Sequence, residues 1–198
     1  RAFDNLAAHA AEYPVQFDTD ADRRRAIADL QPLGVVFDSL VENNTPRAGI
    51  APSPGYLALL QMRARFNWMG HNLDQAGYAA RAEADYARLL AFAPAADKPA
   101  VQGEFGNFLA SSARMERAIP MLRAAYQAGH KESGRDLATA LLTQNKRSEA
   151  LPLLREYVRN FPQDQKGRAI LNAVEQGRVE THAVYPSHLQ RIPKRHRH

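Results

Sequence analysis

Three aspartates at alternating positions, Asp18, Asp20 and Asp22, have the spacing that opens a calcium-binding loop, in which successive carboxylates wrap the ion. Such a loop needs glycine at its sixth position, and here that position is Arg23, with Arg24 and Arg25 after it. The carboxylates are better suited to the start of a helix, where negative charge meets the positive end of the helix dipole. The seven histidines include no pair set on one helix face beside a carboxylate. His196 and His198, near the end of the chain, offer at most adventitious metal binding. With no cysteine, the chain has no disulfide, no thiolate metal site and no cysteine nucleophile. No serine stands in a nucleophile elbow, and no glycine-rich phosphate loop precedes a helix. No pair of carboxylates lies in an obviously apolar context. The expectation is a non-catalytic protein without a cofactor or metal.

Charge narrows the partner classes. The formal net charge is +5 over 198 residues. Residues 178–198 hold Arg178, Arg191, Lys194, Arg195 and Arg197 against Glu180, a net of +4, which leaves +1 for residues 1–177. A fold that grips duplex phosphate carries its cations on one face of the body, so a near-neutral body argues against nucleic acid as the main partner. The basic tail leaves one alternative reading: a tether to nucleic acid or an anionic membrane surface, with the rest of the chain as spacer. No apolar run approaches the roughly 20 residues of a spanning helix, so the chain is not expected to be transmembrane. It begins at Arg1 and is rich in arginine relative to lysine. A removed export signal would account for the first feature and places a periplasmic or secreted location ahead of a cytoplasmic one; the second suggests a bacterial source. Oligomeric state is left open.

Any chemistry must be positioned by the elements between these ends. Apolar and small residues recur at helical spacing in paired blocks: Phe66, Met69, Gly70 and Leu73 with Ala82, Tyr86, Leu89 and Pro94; then Phe105, Gly106 and Leu109 with Ala118, Leu122 and Ala125; then Leu137, Ala138 and Leu141 with Ala150, Leu154, Tyr157 and Pro162. Ala82, Ala118 and Ala150 step by 36 and 32 residues, a mean of 34. Small residues at these positions fit places where two antiparallel helices approach closely. Pro120 and Pro152 share one slot early in the second helix, which supports the register. Ser53 and Pro54 make a strong helix start. Residues 163–176, with Ile170, Leu171 and Val174 inward, read as a closing helix ended by Gly177. Nearer the N-terminus, residues 2–11 and 22–41 read as helical, the second stretch interrupted near Pro32, and residues 43–54 as a loop. A degenerate fourth hairpin from residues 22–30 and 32–42 is one arrangement, although its spacing does not match.

The blocks resemble the tetratricopeptide repeat (TPR), a 34-residue helix-turn-helix unit with an aromatic, a Leu-Gly pair, alanines and a closing proline at set positions. Phe66, Met69-Gly70, Leu73, Ala82, Tyr86, Leu89 and Pro94 look like one copy. The second copy has Gln102 in the aromatic slot and His130 where proline closes the unit, and the third has Gly134 and Ala138 at its variable positions. The resemblance covers about half of the chain. It implies an all-α fold, an α-solenoid of antiparallel helix hairpins with a C-terminal capping helix. Its units would be an N-terminal helical segment and loop (1–52), three repeats (63–96, 99–130 and 131–164) with the cap inside 53–177, and the basic tail (178–198).

In that family the first helices line a concave groove. The resemblance carries the groove face to Ala64, Asn67, His71 and Asp74 in the first copy, to Gly103, Asn107 and Ala110 in the second, and to Glu132, Arg135, Thr139 and Leu142 in the third. Asn67, His71, Asn107 and Arg135 are the implied partner-binding residues, because amides pair with an extended main chain and arginine grips a carboxylate. The lysine-and-asparagine clamp by which some members hold a C-terminal carboxylate is not reproduced in these slots. The expected function is a protein–protein interaction scaffold that holds a peptide or protein partner in the groove.

Overall fold

In the computed structural model, which describes residues 2–178, the sequence forms nine α-helices and no strand among the described residues. They are α1 (Ala2–Ala10), α2 (Asp20–Asn43), α3 (Pro54–Asn72), α4 (Tyr78–Phe92), α5 (Lys98–Ser111), α6 (Met115–Gln127), α7 (Ser133–Thr143), α8 (Arg147–Asn160) and α9 (Gln165–Glu175). The all-α expectation therefore holds. The larger part of the basic tail, residues 179–198, lies outside the described residues.

Local chemistry sets the helix ends. Ser53 caps α3 by accepting from the Tyr56 amide at 3.1 Å, with Pro54 as the first helical residue. Thr19 caps α2 by accepting from the Asp22 amide at 3.1 Å and donating to the Asp22 carboxylate at 2.7 Å. Asp20 and Asp22 thus stand in the first turn of α2, and no cluster suited to a metal forms among the described residues. Asp164 caps α9 by accepting from the amides of Lys166 and Gly167. Pro94 and Pro162 follow the ends of α4 and α8, where a residue without an N–H cannot continue the helix. At the end of α6, where no proline stands, Gly129 takes a left-handed φ of 100° and stops the helix instead.

The pairs α3/α4, α5/α6 and α7/α8 each pack closely across a short connection, and α4 against α5, α6 against α7 and α8 against α9 carry the packing onward. A short connection between two helices packed along their length makes them antiparallel. The turns repeat in backbone conformation as well as in sequence. Asp74, Ala113 and Asn145, each two residues past the end of its helix, take left-handed φ values of 61°, 60° and 59°. Behind the last two, the amides of Arg114 and Lys146 reach back to the carbonyls of Leu109 and Leu141 at 2.9 Å, closing the helix with a six-residue turn. Ala82, Ala118 and Ala150 are all fully buried. Gly70 and Gly106 mark close approaches within the first two pairs. A Cβ on Gly70 would stand 2.2 Å from the Tyr78 ring, and one on Gly106 would stand 2.7 Å from Leu122.

One core runs through α3 to α9, with Tyr86, Phe105 and Phe108 in mutual ring contact and Trp68 edge-on to Phe108 at 5.7 Å. A second core joins Leu6 and Ala10 of α1, Ala26, Leu30 and Phe37 of α2, and Phe66, Met69 and Leu73 of α3. Residues 22–30 and 32–42 do not form a hairpin, because α2 runs unbroken through Pro32. Ala28 and Pro32 both lie on the exposed side of α2, so the carbonyl freed by the missing N–H belongs to the solvent face and the helix continues at low cost.

Candidate functional site

Residues of four alternate helices line one cavity of about 260 Å³. Trp68 and Asn72 come from α3, Asn107 and Ser111 from α5, Arg135, Asp136 and Thr139 from α7, and Lys166 and Ile170 from α9. Ala11, Glu12 and Tyr13, in the loop between α1 and α2, complete the wall. A second cavity of about 660 Å³ adjoins it through shared residues Ala11, Glu12, Trp68 and Asn107, and adds Phe3, Met62, Arg65 and Glu104. The convergence follows from the alternation of helices. One polar stripe on each of α3, α5 and α7 falls on the same side of the stack, while the apolar stripes meet the intervening helices.

Of the four expected binding residues, Asn107 and Arg135 line this cavity, and Thr139 of the expected face lies with them. Asn67 must be corrected. It is fully buried, and its amide donates to Asp85 at 2.9 Å. The cause is an ion pair that spacing alone does not reveal: Arg63 Nη2 donates to Asp85 at 2.6 Å and Nη1 to Asp38 at 3.1 Å, joining α2, α3 and α4. That cluster draws one edge of α3 into the helix interface. Burial opposes the Arg63 charge, yet the hydrogen bond and charge of Asp85, with Asp38 behind them, hold its pKa above the ordinary value. The stripe of α3 that lines the cavities is consequently Arg65, Trp68 and the buried Asn72, one residue on from the expected Ala64, Asn67 and His71. His71 is half-buried with its ring edge-on to Phe108 at 6.4 Å and lines neither cavity. Ala64, Gly103, Ala110 and Leu142, also expected in the groove, are buried. Asp74 pairs with Arg23 at 3.3 Å.

The cavity charges are largely tied. Arg65 grips Glu104 with Nε and Nη2 at 2.6 and 2.8 Å, while Tyr86 and Gln61 donate to the same carboxylate. Burial works against the Glu104 charge, but these donors outweigh it and keep its pKa below the ordinary carboxylate value. Arg135 reaches Asp136 at 3.2 Å and Asp164 at 2.8 Å. Burial pushes the Asp136 carboxyl up in spite of Arg135 beside it. Lys166 takes its carboxylate from the far end of the chain, pairing with Glu12. The Trp68 indole N–H is buried without a hydrogen-bond acceptor. Trp68, Ser111, Asp136 and Lys166 escaped the sequence reading. The Arg65, Trp68, Asn72 stripe carries the right 3, 4 spacing, but the contact of Lys166 with Glu12 leaves no local signal.

One arrangement resembles hydrolytic chemistry. His130 Nδ1 lies 2.8 Å from Ser133 Oγ, and Glu132 stands 3.8 Å from His130 Nε2. Ser133 is buried, however, and the Gly103 backbone closes over it; even a Cβ on Gly103 would stand 2.4 Å from Oγ. No space remains for a substrate, and the pair serves the contact between α5 and the start of α7. No protein-family model, curated protein or solved structure matches the chain. No helix among the described residues is long and apolar enough to cross a membrane.

Proposed function

We propose that the chain is a protein–protein interaction scaffold, a TPR-like solenoid that holds a peptide or protein partner in the groove lined by α3, α5 and α7. The observation that carries the reading is the placement of Trp68, Asn107 and Arg135, from three successive helix pairs, around one shared space. An extended chain presents amides and carbonyls at regular intervals. A side-chain amide such as Asn107 can pair with them, an arginine can take a carboxylate, and a tryptophan supplies contact area at low entropic cost. The helices fix these groups on rigid supports, which suits binding better than it suits a moving catalytic lid.

Asn107 is the better residue to test, because Arg135 also ties α7 to Asp164 and its removal would disturb the fold. An array of immobilised peptides probed with wild type and with Asn107→Arg should give spots that the variant loses at unchanged melting temperature. Identical spots from both proteins would overturn the groove as the binding site.

A further inference from the structure

On its water-facing side α2 breaks the usual pattern of a surface helix, in which the face turned away from the core is polar. Six large apolar side chains are exposed among the described residues, and three of them stand on this helix: Val35 at 64%, Val36 at 54% and Leu40 at 41%. Ala28, Pro32 and Ser39 are exposed with them. The opposite side of α2 is engaged through Leu30 and Phe37, in the core shared with α1 and α3, and through Asp38, which pairs with Arg63 and Arg81. At the other end of the helix series α9 follows the pattern, with Gln165, Lys166, Arg168, Asn172 and Glu175 exposed. No residue of α2 lines either groove cavity, so its outer face is a separate surface.

Charge decides what covers this face. It is bounded by Arg24 and Glu42, both exposed and without an ion-pair partner among the described residues. They stand 18 residues apart, which is five full helical turns, so they lie on one edge of the face about 27 Å from each other. Of the charges between them, Arg25 and Asp29 are i, i+4 neighbours toward the other edge, and Asp38 is taken by Arg63 and Arg81. The face thus has a cation at one end, an anion at the other and no net free charge between, which makes it complementary to itself reversed. We infer that it docks a second copy of the chain, in an antiparallel two-fold dimer paired through α2. A two-fold axis lying between the copies, at right angles to their α2 helices, brings each edge of one helix against the same edge of the other. Arg24 of each copy then meets Glu42 of its mate, while Pro32, Val35 and Val36 of both copies come together at the centre. A strip about 27 Å long and about 10 Å wide is smaller than the roughly 800 Å² that each partner gives to a standard interface, so the dimer is weak and reversible.

Sedimentation equilibrium of the whole chain, from about 1 µM to about 1 mM, should show a monomer–dimer equilibrium. Val35→Glu combined with Val36→Glu sets four carboxylates at the centre of the contact and should weaken dimerisation by about tenfold or more. Both valines are more than half exposed, so this variant should fold, as its melting temperature would verify. Arg24→Glu and Glu42→Arg should each weaken dimerisation by about threefold, because each sets like charges together. The double variant re-forms both pairs with their signs exchanged and should return to within about twofold of wild type. A monomer at every concentration would overturn the dimer. A dimer that survives the paired valine substitutions would lie elsewhere on the molecule and overturn α2 as the docking face. Loss of the dimer in the valine variant, with no recovery in the charge-exchanged double variant, would overturn the antiparallel pairing. None of these outcomes touches the groove, whose test is the peptide array.

Discussion

Asn67 shows how a residue type suited to binding can be enlisted by the fold. Its amide, with Arg63, satisfies Asp85, a carboxylate whose side chain is 6% exposed. Removing one partner from a buried ion pair leaves the other charge uncompensated, which typically costs about 3–5 kcal/mol. Asp85→Ala should therefore lower unfolding stability by about 3 kcal/mol in urea titrations, and Asn67→Ala by about 1 kcal/mol, since it removes one hydrogen bond to a charged group. Asp164 is a second such hub. It accepts from Tyr157 at 2.7 Å, from Arg135 at 2.8 Å and from two amides at the start of α9. Burial alone would raise its carboxyl; Tyr157, the Gly167 amide and Arg135 outweigh that and hold it down at about 2. A carboxylate whose pKa is depressed by folding adds stability above its unfolded value and loses it as pH falls through the folded one. The wild type should lose this contribution as pH falls from 3.8 toward about 2. Asp164→Asn should start less stable at neutral pH and show a shallower acid slope across that window, as read by circular dichroism.

At the scale of the helix, the glycines separate close approach from mere permissiveness. Gly34 sits within α2, and a Cβ there would meet Phe66 at 3.7 Å, an ordinary contact. Gly34→Ala should stabilise the protein by about 0.5–1 kcal/mol through helix propensity. Gly70→Ala should do the reverse by about 1–3 kcal/mol, because its Cβ would enter the Tyr78 ring. Thermal melts of the two variants should move in opposite directions. The same contrast explains what the sequence could reveal. The close approaches at Gly70 and Gly106 and the buried Ala82, Ala118 and Ala150 are short-range consequences of spacing, and their periodicity exposed them. The continuity of α2 was hidden because Pro32 breaks a pattern when its surroundings are ignored, and solvent exposure of that turn is a tertiary fact. The rotation of the α3 stripe was hidden for a similar reason: Arg63 reads as a surface cation until Asp85 and Asp38, 22 and 25 residues away, are brought beside it. Asn107 and Arg135 reach the cavity as expected, but Gly103, Ala110 and Leu142 of the same expected faces are buried. Glu104, Ser111 and Asp136 line the cavities in their place, because the positions beside the expected ones carry the polar stripe of α5 and α7 as well.

Among the described residues, packing is dominated by elements adjacent in the chain, with α1 on α3, α3 on α5 and α5 on α7 as next neighbours in contact. Stability in such an arrangement is close to a sum of unit and interface contributions, so damage at one place should remain largely local. The fastening of the Glu12 loop on α9 joins distant parts of the sequence, but it is an exposed pair and adds little to that sum. Leu122 is the informative position. It is fully buried in α6, lies against Gly106 of α5, and belongs to the central core. Truncation of a buried leucine costs about 2–5 kcal/mol, depending on how far the neighbours close the cavity. In Leu122→Ala, native-state hydrogen exchange should show the greatest loss of protection in α5 and α6 and a smaller loss in α7 and α4. Protection at Leu30 and Phe37 of α2, which belong to the separate α1–α3 core, should change least. An equal loss at every helix would instead mean that the chain unfolds as one cooperative block. A fragment carrying α3 to α9 without α1 and α2 would then be unable to fold by itself.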